Sequence, residues 1–569
     1  MRNIRWQLLI AIGGLALVVI LLVGQTPDQI IAPAQPVVGG VHSEALVGQI
    51  IRPNPILDSF NQPDRDIDRL IYHGLLHFDS RGTPLPDLAE SWAISADATL
   101  YTFTLREDAV WHDGEPVTSD DIIYTYSKLQ DDDYPGPADI HELWTQVNII
   151  RLDDRRVQFQ LPEPFAPFLD YLTVGLLPDH LLRGVSAGEL IDHPFHVDPV
   201  GTGPFRLDQY ILEDDLIAGV SLVAFDEFYG QRPFLERIEF RIFENEQDAL
   251  QAYHNGEVMG IGYLGESILD EALSLTTMNV HSARLPRIGL IFLNLQNSEA
   301  ENEFLSEKKV RRALALAINR QWIIDQVFQG QAVQPIGPIM PGTWAFAENI
   351  KAIPFSPDEA AQILESEGWE LPAGAAPGTP EYQRVKDEEI LSIELVHLDD
   401  YAHTQIAEWV KRYWQAIAIQ VDLIPVSSDS IFEDYLQPRA YQAVLTELDL
   451  GSYPDPDPYP IWHDSQTETG QNYSGFSDRN ISIWLEQART TPDRGRRSEL
   501  YSSFQYRFQD QLPAILMYYP IYNYGIDAQV QGVTVGPLYN PSDRFNTVFD
   551  WYLVARRGVS PEIEETPQP

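Results

Sequence analysis

The segments EILSIELVHL at residues 389–398, HTQIAEWVKRYWQAI at 403–417 and IQVDLIPV at 419–426 decide the fold class. The first and last are short and rich in apolar and β-branched residues, so they predict strands. The middle segment repeats apolar residues at helical spacing and predicts a helix. A strand, a helix and a strand in this order predict a βαβ crossover with parallel pairing. The expected inward residues of the helix are Ile406, Trp409, Val410, Tyr413 and Ile417.

The first half of the chain has the patterns of a β-rich region. YTFTL at Tyr101–Leu105 alternates apolar and polar residues, as a half-buried strand does. Thr118, with Asp121 three residues later, is typical of a helix N-terminus. RVQFQL at 156–161 and FLERIEFRIF at 234–243 predict further strands.

The sequence changes character near residue 286, where helical patterns become frequent. VRRALALAINRQWIIDQVF at Val310–Phe328 places apolar residues on one helical face and is followed by Gly330, so it predicts one helix. Together with the βαβ unit, this helix predicts an α/β lobe after the β-rich lobe. Ligands of two-lobed α/β proteins tend to bind in the cleft between the lobes.

Charge and cysteine content exclude several function classes. The 569 residues carry a formal net charge of −46. Nucleic-acid binding needs clustered lysine and arginine, so we expect no nucleic-acid partner. The chain contains no cysteine, which excludes disulfides, thiol catalysis and a lipid-modified cysteine.

The N-terminal residues carry a hydrophobic segment, LLIAIGGLALVVILLVG, after the basic start MRNIRW. Arg2 and Arg5 precede the segment and Asp28 follows it, which by the positive-inside rule places the main body outside the cytoplasm. Ala32 and Ala34 resemble a small-residue cleavage site but lie far from the apolar run. We therefore expect an uncleaved membrane anchor.

The sequence has few signs of catalysis. It lacks a GxSxG elbow, an HExxH pair, a P-loop and a dinucleotide fingerprint. Gly201–Gly203 is too short to cradle a phosphate and is typical of a tight turn. His463 and Asp464 are adjacent and no nucleophile is indicated, so they do not predict a triad. We expect a protein that is not an enzyme and has no cofactor.

One acidic segment, DDDYPGPADIHE at residues 131–142, has part of the spacing of a calcium loop. Pro135 removes one ligand position and Pro137 stiffens the loop. A solvated acidic loop is the favoured interpretation, and we expect no metal site. The residues with calcium-loop spacing are Asp131, Asp133, Gly136, Asp139 and Glu142.

The segment GSYPDPDPYPIWHDSQTETGQNYSGFSD, Gly451–Asp478, alternates proline with aspartate and then collects aromatic residues. The prolines at positions 454, 456, 458 and 460 fix φ and remove N–H donors, so they predict a stiff loop without helix or central strand. Such a loop on a rigid scaffold is a common binding surface. Asp455 and Asp457 are more typical of turns than of ligand contacts.

Several segments occur in a fixed order between about residues 50 and 550: PLPDLAESWAISADATLYTFTLREDAVWHDGEPVTSDDIIYTY, VGTGPFRL, VRRALALAINR, PDPDPYPIWH and NYSGFSD. Together they resemble the signature segments of the family 5 solute-binding proteins of ABC importers, which bind oligopeptides, dipeptides or nickel. The resemblance implies a class II periplasmic-binding-protein-like α/β fold. Two lobes are joined by a hinge, the first lobe carries an extra subdomain, and the ligand lies in the cleft between the lobes.

The expected domain order follows from this resemblance and from the composition. A first lobe is interrupted by the subdomain and completed by a later segment, and a second lobe lies between. The expected ranges are 1–40 for the anchor or signal segment and tether, 41–285 for the first lobe, about 84–199 for the subdomain, about 525–556 for the completing segment, 286–524 for the second lobe and 557–569 for a polar tail.

The resemblance also implies the function and the partners. We expect an extracytoplasmic monomer, at the cell surface or in the periplasm, that captures peptides and delivers them to an ABC permease and its ATPase. Two alternatives remain open from the sequence. The ligand can be an oligosaccharide or a chelated metal, or the fold can serve a sensor or chaperone.

In peptide-binding members an aspartate just before a tyrosine of this proline-rich segment binds the peptide's amino group. The corresponding pair here is Ser452 and Tyr453. Serine can accept a hydrogen bond but supplies no charge, so Asp449 is the candidate for the missing carboxylate. Aromatic residues of the segment are candidates for apolar walls. The expected ligand-binding residues are Asp449, Ser452, Tyr453, Trp462 and Tyr473.

Overall fold

A computed structural model describes residues 35–214, 216–296, 303–451 and 453–556. The strands are β1 (Gln35–Val37), β2 (Val41–Val47), β3 (Leu76–Phe78), β4 (Pro84–Pro86), β5 (Ala89–Ile94), β6 (Leu100–Leu105), β7 (Asn148–Arg151), β8 (Arg156–Gln160), β9 (Phe205–Glu213), β10 (Leu216–Ala224), β11 (Arg237–Phe243), β12 (Gly260–Ile261), β13 (Met278–Arg284), β14 (Arg287–Leu293), β15 (Ala332–Val333), β16 (Val385–Lys386), β17 (Glu389–Ile390), β18 (Ser392–Leu398), β19 (Gln420–Val426), β20 (Ala443–Asp449), β21 (Ala514–Asp527) and β22 (Val554–Arg556).

The helices are Gln62–Ile71, Ser119–Leu129, Ala138–Thr145, Asp179–Leu182, Ala187–Leu190, Glu246–Asn255, Glu266–Ser274, Glu303–Ser306, Lys308–Leu316, Arg320–Val327, Pro357–Ser366, Tyr401–Ala416, Ser428–Ser430, Tyr459–Trp462, Arg479–Thr490 and Arg494–Gln511. A π-helical turn spans Ile431–Leu436. The 3₁₀ helices are Ala166–Leu172, Pro194–Val197, Asp464–Gln466 and Pro541–Asp550.

One long mixed sheet runs through the molecule in the order β19-β18-β20-β14-β21-β12-β2-β11-β10-β9. Strand β21 is its centre, because its first half pairs with β14 and its second half pairs with β12 and β13. Strands β2 and β9 to β13 belong to the first lobe, and strands β14 to β20 belong to the second. The expected two-lobed α/β fold is therefore confirmed.

The chain crosses between the lobes along two neighbouring antiparallel segments. Arg284, at the end of β13, pairs with Ile521, and Gly289 in β14 pairs with Tyr518. Between these pairs lie Pro286 on one segment and Pro520 on the other, and proline donates no ladder hydrogen bond. Both segments are therefore weakly bonded where they cross. The expected boundaries at residues 285 and 524 stay a prediction.

The predicted βαβ unit is present in the second lobe. Strands β18 and β19 pair in parallel, and the helix Tyr401–Ala416 connects them. The predicted inward face was partly wrong, because the buried face of the helix also contains His403, Ala407 and Trp414. Trp414 is fully buried and donates to the carbonyl of Leu314 at 3.1 Å, whereas Trp409 and Tyr413 are half-buried.

The predicted single helix over Val310–Phe328 was also wrong. Two helices, Lys308–Leu316 and Arg320–Val327, replace it. The Asn319 side chain accepts a hydrogen bond from the Trp322 N–H, so it caps the second helix and ends the first.

The subdomain contains an antiparallel sheet in the order β5-β6-β8-β7. The helix that opens after Thr118 has the predicted capping box with Asp121. The core of the subdomain is aromatic, and the rings of Tyr126 and Trp144 stack there at 4.4 Å between centroids. This core is continuous with that of the first lobe, so the two parts form one packed body.

The segment after β21 returns to the first lobe through a buried ion-pair network. Arg544 is fully buried and lies 2.6 Å from Glu44 in β2 and 2.7 Å from Asp66 in the helix Gln62–Ile71. Glycines at 201 and 203 pack against the end of this helix, where a Cβ atom would meet the carbonyl oxygens of Ile71 and Leu70. These contacts fix the first-lobe wall of the cleft.

Residues 1–34 of the expected anchor and tether, and the polar tail at 557–569, lie outside the described residues, whereas β1 at Gln35–Val37 pairs with β22. Within the part of the chain that the structure describes, no helix has the length and apolar character needed to cross a membrane.

Candidate functional site

The cleft between the lobes contains two adjoining cavities, and Arg287 lines both. The cavity next to the crossings, here called the hinge cavity, has a volume of about 630 Å³. Both lobes contribute walls, so a ligand in it would contact both at once. Its lining includes Glu246, Tyr263, His403, Glu447 and Tyr518.

Connected polar side chains form the second-lobe wall of the hinge cavity. His403 Nδ1 lies 2.7 Å from an Asp400 oxygen, and the Tyr518 hydroxyl donates to Glu447 at 2.9 Å. Burial raises the pKa of Tyr518 well above its usual range, and the Glu447 carboxylate raises it further. Tyr518 therefore stays a neutral hydroxyl at physiological pH.

The second cavity, here called the loop cavity, has a volume of about 560 Å³. It is bounded by the first lobe, the subdomain and the second-lobe segment 449–461. This segment starts at the crossing, because the Leu450 N–H donates to the Pro286 carbonyl at 2.7 Å. One wall of the cavity is therefore hydrogen-bonded to the segment where the lobes are joined.

The proline-rich segment is irregular over residues 453–458, as predicted, but its end differs from the prediction. The helix Tyr459–Trp462 follows, with Pro460 in its first turn. Proline is tolerated there, since the first N–H groups of a helix have no intrahelical partner. The prediction that these prolines exclude helix was therefore wrong at position 460.

The two aspartates of the segment hold it to the helices behind it. Asp455 pairs with Arg497 at 2.5 Å, and both side chains are buried. Asp457 accepts three hydrogen bonds from Arg489, two from Nε at 3.0 Å and one from Nη2 at 2.7 Å. Asp455 also accepts from the Asp457 N–H, which is the turn role predicted for these residues.

The front of the segment docks on the subdomain. The Asp455 N–H donates to Asp170 at 2.9 Å, and the rings of Tyr453 and Tyr171 are 4.9 Å apart. Burial raises the pKa of Asp170 well above its usual range, and the nearby Asp455 carboxylate raises it further. The lobes therefore meet here through a carboxyl group that favours its protonated form.

Two of the predicted ligand residues lie at the loop cavity. Asp449 ends β20, is exposed and accepts from the Gly451 N–H at 2.8 Å. Tyr453 is half-buried and lines the cavity beside Tyr171. The structure brings these two residues together on one wall.

Two of the other predicted ligand residues, Trp462 and Tyr473, are not at this wall. Trp462 is only 3% exposed and packs in the second-lobe core, with its ring 4.7 Å from Phe508. Tyr473 is half-buried against Phe292, at 5.6 Å between ring centroids. Ser452 lies outside the described residues. Ligand contact by these residues stays a prediction.

Sequence reasoning missed several cavity residues. Arg287 stands opposite Asp449 in the β14–β20 register, yet among the described residues it forms no ion pair within 4.0 Å. Asp58, Asp68 and Tyr72 line the first-lobe wall of the loop cavity. The acidic sequence QPDRDIDRLI was the available signal, but acidic residues of a helix are usually solvent-exposed.

The segment with calcium-loop spacing does not form one continuous loop. Asp139 and Glu142 lie in the helix Ala138–Thr145, and Asp131 accepts from the Ala187 N–H at 3.0 Å. Within the described residues, no cluster of three or more His, Cys, Asp or Glu side chains could hold a metal ion.

Comparison with protein-family models shows which family the chain belongs to. The model for bacterial extracellular solute-binding proteins, family 5 Middle, matches residues 83–471. This range covers the subdomain and most of the second lobe, including residues 451–471 of the proline-rich segment. The chain belongs to the family 5 solute-binding proteins.

Curated relatives of this solute-binding protein are similar along most of their length. The dipeptide-binding protein of Escherichia coli (strain K12) is 25% identical over 509 residues, which cover 82% of this chain and 87% of the relative. The oligopeptide-binding protein AppA of Bacillus subtilis (strain 168) is 24% identical over 520 residues, which cover 90% and 91%. Both names describe binding proteins.

Solved structures share the fold. AppA from Bacillus subtilis, in complex with a nonapeptide, matches with a TM-score of 0.68 and 22% identity over 91% of this chain and 100% of that one. NikZ from Campylobacter jejuni, in complex with Ni(L-His), matches with a TM-score of 0.69 and 22% identity over 90% and 99%.

The raised pKa of Asp170 predicts a pH effect on stability. The folded protein keeps the Asp170 proton to a higher pH than the unfolded chain, so this group destabilises the fold increasingly as pH rises above about 4. An amide at this position would not titrate. We expect Asp170→Asn to raise the melting temperature relative to wild type more at pH 8 than at pH 5.

The exposed Asp429→Asn is the control, and its difference from wild type should not depend on pH. Parallel pH profiles for wild type and Asp170→Asn would show that Asp170 is ionised in the folded protein.

Proposed function

We propose that this protein captures peptides in the cleft between its lobes and delivers them to an ABC permease and its ATPase. The observation that carries the proposal is the pair of adjoining cavities, about 630 and 560 Å³, enclosed by both lobes. Family membership and the relatives named for dipeptide and oligopeptide binding support peptides as the ligand class.

The walls of the cleft suit a ligand with varied side chains. Backbone and charged groups of both lobes reach the cavities, while Tyr453 and Tyr171 give an apolar surface of low conformational entropy. Because the ion pairs of Asp455 and Asp457 hold the segment from behind, this surface is stiff before a ligand arrives. A preorganised wall reduces the entropic cost of binding.

The amino end of the peptide binds, in this proposal, at the loop cavity beside Asp449 and Tyr453. The protein acts outside the cytoplasm as a monomer, and the segment before β1 serves as the membrane tether. The subdomain and the first lobe move together, since they share one apolar core.

The function is tested on protein purified from its native host under non-denaturing conditions. Mass spectrometry of the small molecules released on denaturation should recover peptides in near-equimolar amount. Recovery of an oligosaccharide or a metal chelate instead would overturn the peptide assignment.

Charge at the amino-terminal clamp gives a second prediction. A charge-assisted pair between an ammonium and a carboxylate in a closed cleft contributes roughly 1.5 to 3 kcal/mol. Ser452→Asp should therefore favour a free-amine peptide over its N-acetylated form by about tenfold or more beyond the wild-type preference.

Asp449→Asn is the companion variant. If Asp449 supplies the wild-type charge, the amide variant should lose the preference for the free amine, as measured by calorimetry with the same peptide pair. An unchanged preference in both variants would place the amino end elsewhere in the cleft.

A further inference from the structure

The loop cavity carries more acidic than basic side chains. Arg489 neutralises Asp457 from outside the cavity, Arg69 lies 3.9 Å from Asp543, and Arg65 lies 3.7 Å from Asp58. Among the described residues, Asp68, Asp139 and Asp449 have no cation within 4.0 Å. Six carboxyl groups line this cavity against three arginines, Arg65, Arg69 and Arg287, so a ligand faces more acidic than basic groups.

Two side chains at the first-lobe wall each have one polar atom without a hydrogen-bond partner among the described residues. Asp68 is 3% exposed; its Oδ2 accepts from the Asn54 N–H at 2.8 Å, but its Oδ1 has no hydrogen-bond partner among the described residues. Tyr72, one helical turn later and also 3% exposed, has an unpartnered hydroxyl. Both residues line the loop cavity. An unpaired buried carboxylate oxygen is costly, so these atoms indicate a missing partner.

A third residue of this wall, Asp58, also lines the cavity, and its side chain is 16% exposed. Asp58, Asp68 and Tyr72 are here called the acidic wall. Its partner has to donate hydrogen bonds, since both carboxylates are acceptors when ionised. Positive charge on the partner would stabilise the ionised forms of these two neighbouring carboxyl groups.

We infer that the acidic wall binds a cationic side chain of the peptide, the ammonium of lysine or the guanidinium of arginine. This inference rests on the proposed function and narrows it to peptides that contain a basic residue. An ammonium has three donors and a guanidinium five, enough to satisfy the carboxylates of Asp58 and Asp68 and the oxygen of Tyr72.

The raised pKa values of the acidic wall predict that binding of a cation can be measured as a release of protons. Burial raises the pKa of Asp58 to about 7, although Arg65 opposes the shift, and the carboxylates of Asp64 and Asp66 raise it further. Burial raises the pKa of Asp68 well above its usual range, and Asp58 and Asp64 raise it further, against Arg65 and the Asn54 N–H. The other groups that face this pair are Tyr72, Tyr134 and Tyr210.

Binding of a cation lowers both pKa values and expels protons. Affinity for a basic peptide should therefore fall as pH drops below about 7, where Asp58 gains a proton. A peptide with an uncharged side chain in the same place should not show this dependence.

The test uses tripeptides and pentapeptides of alanine in which one position at a time is lysine, arginine, norleucine or glutamine. Each set is mixed with full-length protein at pH 8, and retained peptides are quantified by mass spectrometry. Wild type should retain the lysine or arginine peptides at least about tenfold better than the norleucine peptide at one position. N-acetylated sets show whether the amino terminus, rather than a side chain, fills the site.

Asp58→Asn and Asp68→Asn keep the shape of each side chain and remove its charge. Each should abolish most of the preference for basic residues and reduce proton release, measured by calorimetry in buffers of different ionisation enthalpy. Asp429→Asn, exposed and outside both cavities, should leave both readouts unchanged.

The outcomes distinguish failure of the inference about the acidic wall from failure of the proposed function. Equal retention of basic and norleucine peptides by wild type overturns the inference and leaves the proposed function intact. A preference that disappears on N-acetylation assigns the acidic wall to the amino terminus and also overturns it. Failure to retain any peptide contradicts the proposed function itself.

Discussion

The narrow connection between the lobes is the constraint on which the rest of the structure depends. Strand β21 belongs to both lobes, and the only other described crossing is the link from β13 to β14. Because Pro286 and Pro520 lie on these two segments, the ladder is thin where the lobes join. A thin, continuous connection lets two rigid bodies change their relative angle while each keeps its own core, and it places the cavities directly beside the bend.

The proline-rich segment uses its composition for rigidity more than for recognition. Prolines restrict the backbone, and the carboxylates of Asp455 and Asp457 form ion pairs with Arg497 and Arg489. Removing one partner of such a buried pair is strongly destabilising, by about 3 to 5 kcal/mol. The segment is therefore a fixed wall, and its docking on Asp170 makes the contact between the lobes sensitive to protonation.

Local patterns in the sequence predicted local structure well. The alternation of Tyr101–Leu105, the capping box of Thr118 and the βαβ unit all depend on neighbouring residues, and all are present. The break at Asn319 was missed because a cap and a polar helical residue look alike in sequence. The partners of Asp455 and the isolation of Arg287 could not be predicted, since tertiary contacts distant in sequence decide them. The order of motifs predicted the fold, whereas the acidic wall emerged only from the packing of the helix Gln62–Ile71.

A peptide bound in the cleft should draw the two lobes together about the paired crossings. The most direct measurement is small-angle X-ray scattering on protein freed of ligand by unfolding and refolding, and then saturated with the peptide recovered from the purified protein. Closure of the lobes predicts a smaller radius of gyration with peptide than without it. An unchanged radius of gyration, with saturation confirmed by calorimetry, would contradict it.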